Sequence, residues 1–146
     1  MPFEFLNESK GIRVAFFSNS SEVFESIPKQ ILKICDFFFM SPDEASPQLQ
    51  RVKKPALIIV DTYSLGMNYL QVILKMKKEM NCPVLVLDHY TEQLFINDIL
   101  SKGANGYLLV HSFEEELGVA IGYLLHGENY VSKLLEAYKG NTYLLK

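Results

Sequence analysis

The chain has 146 residues, 49 % of them hydrophobic, and a formal net charge of −3. That length sets one domain with a sizeable core as the default, and that apolar content excludes a disordered chain. The mildly acidic balance argues against direct contact with a nucleic-acid backbone, and no apolar run approaches the about 18 residues of a membrane span.

The opening "MPFEFLNESKGIRV" shows no basic stretch followed by an apolar one, so no signal peptide is read there. Cys35 and Cys82 are far apart in sequence, without a CxxC spacing. They read as buried free thiols of a cytoplasmic protein rather than as a metal or redox pair.

Residues 1–10 read as an N-terminal extension, and a domain is expected over 11–126. "IRVAFF" (12–17) is predicted as a buried strand. "SEVFESIPKQILKI" (21–34) carries Val23, Phe24, Ile27, Ile31 and Ile34 at helical spacing, but Pro28 makes that helix kinked or late in starting. "DFFFM" (36–40) is a weaker strand, its aromatic run read as core rather than as a binding platform. "SPDEASPQLQRVKK" (41–54) is a poor, short helix with prolines at 42 and 47. "ALIIV" (56–60) and "PVLVL" (83–87) are the clearest strands, and "GYLLV" (106–110) is the fifth. Their hydrophobicity is continuous rather than alternating, which means that both faces are covered, as in a parallel sheet. Between them lie helical patterns at 67–80, at 91–103 with Thr91 as N-cap and Gly103 just past the end, and at 112–127 with Ser112 and Glu115 in capping-box spacing.

Strands alternating with helices predict an α/β fold: a doubly wound, five-stranded parallel sheet in the order 2-1-3-4-5, flanked by five helices. Residues 127–146 read as a C-terminal tail or linker. In such sheets, sites form beyond the carboxyl ends of the strands. Those ends present Ser18 and Asn19, Ser41, Asp61, Asp88 with His89, and Val110 with His111.

In order along the chain, "PALIIVD", "GMN" (66–68), "PVLVL", "GANGYLL" (103–109) and "GENYVS" (127–132) make the sequence resemble a bacterial response-regulator receiver domain over roughly 11–132. The last two segments resemble the subgroup fused to a LuxR-type helix-turn-helix. The resemblance implies that Asp61 stands at the phospho-acceptor position. It also implies a Mg²⁺-holding acidic pair where this chain has Ser18 and Asn19, a threonine or serine where it has Asp88, a lysine where it has Val110, and a proline where it has Leu65. Tyr107 matches the switch aromatic. These departures predict an atypical, degenerate receiver that works without phosphorylation, has no catalytic residues and needs no cofactor. Mg²⁺ is not expected to bind, since a hydroxyl and an amide supply none of the charge it favours.

The output implied is a dimer or protein contact through a face drawn from 91–125, controlling transcription through a fused or separate DNA-binding domain. Asp61, Asp88, His89 and His111 offer a transition-metal or pH-sensing site as a second reading, against relaxed, solvated polar residues, and no other metal site is read. The alternative function is a flavodoxin-like phosphate- or flavin-binding domain, with "SNSSE" after the first strand holding the phosphate.

Overall fold

The computed structural model describes residues 11–40 and 55–135; the extension 1–10, the helix expected over 41–54 with Ser41, and residues 136–146 lie outside them. The sheet is parallel with the strand order β2-β1-β3-β4-β5-β6. The strands are β1 (Ile12–Phe17), β2 (Cys35–Met40), β3 (Leu57–Asp61), β4 (Val84–Asp88), β5 (Gly106–Leu109) and β6 (Tyr130–Val131). The expectation of five strands therefore falls one short. Residues 130–131, assigned from sequence to the tail, extend the sheet by pairing parallel with β5. A run of two residues gives no period to detect, which is why the sequence hid it.

The helices are α1 (Ser21–Glu25), α2 (Lys29–Leu32), α3 (Thr62–Leu65), α4 (Asn68–Met80), α5 (Gln93–Ser101) and α6 (Phe113–Leu125). Pro28 divides the first helical pattern into two pieces, standing as the N-cap of α2, because its ring fixes φ and removes a donor. Glu92, not Thr91, is the N-cap of α5. Ser112 is the N-cap of α6 but makes no side-chain cap bond. Its hydroxyl lies 3.3 Å from the Leu109 carbonyl oxygen and 3.1 Å from the Ser132 hydroxyl, so the expected capping box does not form. α4 closes on Asn81 in the left-handed conformation at φ 53°, which a short polar side chain tolerates.

Alternate residues of each strand feed opposite faces. Ala15, Phe17, Ile58, Val60, Val84 and Val86 pack with Ile73 of α4 and Ile96 and Ile99 of α5. Val14, Phe16, Leu57, Ile59, Leu85 and Leu87 pack with Ile31 of α2 and Leu117, Ala120 and Ile121 of α6. Continuous apolar strands between two helical layers are the outcome expected of such patterning.

The 37–39 run is less uniform than predicted. Phe16 meets Phe37 and Phe39 at ring distances of 6.4 and 6.2 Å, and Phe24 meets Phe39 at 4.7 Å. Phe38 and Phe39 nevertheless keep about two fifths of their surface exposed. Cys35 and Cys82 are free and buried, and burial pushes both thiols up to about 11. No helix among the described residues is long and apolar enough to cross a membrane.

Candidate functional site

Asp61 ends β3 and is fully buried, at 0 % exposure. It also caps α3, its Oδ1 accepting the Ser64 N–H at 3.3 Å. Its Oδ2 accepts from the Ser18 hydroxyl at 2.6 Å and the Ser64 hydroxyl at 2.9 Å. Each hydroxyl has one proton, and an ionised carboxylate is the strongest acceptor in reach, so both protons go to Oδ2. Each hydroxyl oxygen in turn accepts from a backbone N–H. Ser18 Oγ accepts the Ser20 N–H at 2.8 Å, and Ser64 Oγ accepts the Asn19 N–H at 3.0 Å. The result is a closed knot tying the end of β1 to the end of β3 and to α3. Asn19 is exposed and joins it through its backbone, not its amide.

A second buried carboxylate is held separately. Asp88 ends β4 with its side chain 3 % exposed. Thr62 donates its hydroxyl to Asp88 Oδ2 at 2.6 Å, with the Leu87 carbonyl oxygen a longer alternative at 2.9 Å. Asp88 Oδ1 accepts the His89 backbone N–H at 2.8 Å and faces His89 Nδ1 at 2.9 Å. Donors from α3 and the β4–α5 loop thus stand around Asp88. Thr62 and Ser64 were missed in the sequence, where "DTYSL" offered only a polar cluster behind a strand.

Asp61, Asp88, His89 and His111 do not form a metal site, and of the histidines His89 is the one in contact with Asp88. Among the described residues no group of three or more histidines, cysteines or acidic residues is placed to hold a metal ion. His111 is exposed in the 3₁₀ turn Val110–Ser112. Val110, where the resemblance implies a lysine, is half-buried against the core beneath α6 and brings no charge.

Tyr107 is fully buried on β5, and its hydroxyl donates to the Tyr90 carbonyl oxygen at 2.7 Å. Its ring meets Phe95 edge-on at 6.2 Å. Burial pushes the phenol far above its usual range, and the negative Asp88 adds to this. Outside it, Phe95, Tyr90, His89 and Tyr63 continue as a run of rings 4.4, 4.3 and 5.2 Å apart.

No protein-family model matches the chain. No curated protein matches it either. Solved structures do. The response regulator RcsB of Salmonella typhimurium superposes with a TM-score of 0.70 at 16 % identity, over 87 % of this chain and 68 % of that one. A two-component response regulator of the LuxR family from an Aurantimonas species gives 0.71 at 18 % identity, over 90 % and 97 %. The receiver domain of the response regulator NarL from Mycobacterium tuberculosis gives 0.64 at 20 % identity, over 80 % and 98 %. Superposed on these neighbours over most of its length, with a parallel sheet in the order β2-β1-β3-β4-β5-β6 between helices, this chain has the fold of a response-regulator receiver domain.

Proposed function

We propose that the chain is a non-enzymatic signalling module of the two-component type, cytoplasmic, acting by protein contact and without phosphorylation of Asp61. The observation that carries this reading is the state of the aspartate. A phosphoryl acceptor needs an oxygen open to in-line approach and cations to neutralise the transferred charge. Asp61 is buried, and its carboxylate is already tied to Ser18 and Ser64.

The donor chemistry does not fit Mg²⁺, which the receiver fold brings to mind. Mg²⁺ takes hard oxygens in a strict octahedron, usually with one or two carboxylates. Here Ser18 points its proton at Asp61 rather than a lone pair at a metal, and Asp88 is engaged with Thr62 and His89. The test is incubation with acetyl phosphate and Mg²⁺, followed by intact mass. No phosphoryl adduct is expected. Stoichiometric labelling that Asp61→Asn abolishes would overturn the reading.

The contact surface is assigned to the outer faces of α5 and α6, within 91–125, with a DNA-binding domain, fused or separate, as the output and transcription as the process controlled. Leu94 is 84 % exposed, and Val119, Tyr123 and Leu125 are exposed on α6. Phe95 and Ile96, by contrast, turn inward. Sedimentation velocity is expected to show reversible self-association that Leu94→Asp weakens at least severalfold. A wild-type monomer at all concentrations, with no captured partner, would remove this surface from the proposal. The flavodoxin-like alternative has little support: of the three hydroxyls that "SNSSE" offers a phosphate, at Ser18, Ser20 and Ser21, that of Ser18 is committed to Asp61.

A further inference from the structure

β6 is two residues long, and a strand so short has little stability of its own. Its backbone supplies Tyr130 N–H to the Asn105 carbonyl oxygen at 3.1 Å, followed by Ser132 N–H to the Tyr107 carbonyl oxygen at 2.9 Å. Yet Tyr130, Ser132 and Leu135 are all buried. As neighbours on a strand, Tyr130 and Val131 face opposite sides of the sheet: Tyr130 joins the core beneath α6, Val131 the core beneath α4 and α5, and Leu135 beyond them joins the latter. The segment therefore lies along the outer edge of β5 and is packed into both cores.

One side chain gathers its polar groups. Glu116, on the first turns of α6, accepts the Tyr130 hydroxyl at 2.5 Å and the Lys133 N–H at 2.8 Å on Oε1, and the Ser132 hydroxyl at 2.5 Å on Oε2. Burial alone would raise this carboxyl, but the hydrogen bonds from Ser112, Ser132, Tyr130 and the Lys133 N–H together hold it below its usual range. On the other side, Gly106 makes room for the segment. A Cβ there would stand 3.0 Å from the Tyr130 carbonyl oxygen and 2.9 Å from Leu85 Cδ1.

We propose that Tyr130–Leu135 is a strap, latched by the Glu116 carboxylate, that closes the outer edge of β5 and fixes where the chain leaves the sheet. While the latch holds, no strand of a partner can add to β5, and contact in the 91–125 region is left to the outer faces of α5 and α6. That consequence for partners rests on the signalling reading; the latch itself does not.

Amide hydrogen exchange on the full chain tests the latch whether or not Asp61 is ever phosphorylated. In Glu116→Ala, the Tyr130 and Ser132 amides are expected to exchange at least tenfold faster than in the wild type, while Phe16 in β1 and Ile59 in β3 keep their protection. Unchanged exchange at Tyr130 and Ser132, or acceleration by one common factor across the sheet, overturns the proposal. Should Glu116→Ala not fold, Tyr130→Phe removes one donor and keeps the ring. The same two amides are then expected to accelerate, by a smaller factor and again alone, and no acceleration or a uniform one overturns the latch.

Discussion

Ser18→Asp is expected to destabilise the protein by roughly 3 kcal/mol at pH 7, the worth of a shift of about two pH units in one carboxyl. The substitution restores the residue type that the receiver resemblance implies. Here it would exchange a donor 2.6 Å from Asp61 Oδ2 for a second carboxyl in a buried site. Like charges at that distance resist ionising together, so the introduced carboxyl stays protonated to a higher pH than in the unfolded chain.

The sign follows from linkage. An acid whose folded pKa is raised destabilises above that pKa and ceases to do so below its unfolded value near 3.9. The deficit against wild type should therefore shrink as the pH falls from 7 towards 4. Mg²⁺ should relieve part of it, because two carboxylates now face a metal. Urea unfolding at both pH values, with and without Mg²⁺, measures this. A variant as stable as wild type at pH 7 would mean that the knot around Asp61 is open to water.

Thr62→Val is expected to cost roughly 2–3 kcal/mol, the range for losing a hydrogen bond to a buried charge. The substitution keeps the volume and removes the proton 2.6 Å from Asp88 Oδ2. Asp88 would keep the His89 backbone N–H and imidazole on Oδ1 but nothing comparable on Oδ2. The same substitution in an Asp88→Asn background should cost much less, since the amide carries no charge to strand, and that difference is the coupling energy. Equal losses in both backgrounds would assign the effect to packing.

The two carboxylates show where reading a sequence stops. Apolar runs without alternation were enough to predict a covered parallel sheet, because burial on both faces leaves that mark on composition. Pro28 announced a break, and Asp61 at a strand end announced a site. The long-range partner of each aspartate could not be read, since Ser18 reaches Asp61 only when β1 and β3 pair, and Thr62 reaches Asp88 only when β3 and β4 do. The same holds for β6. Two residues carry no periodicity, and their place beside β5 depends on a glycine without a Cβ and on a glutamate fourteen residues upstream of Tyr130. Local pattern determined the elements and their order. Contacts between segments distant in sequence decided that Asp61 is buried and tied to Ser18, because that bond depends on a distance set by packing, whereas its bonds from Ser64, three residues on, follow helix-cap spacing.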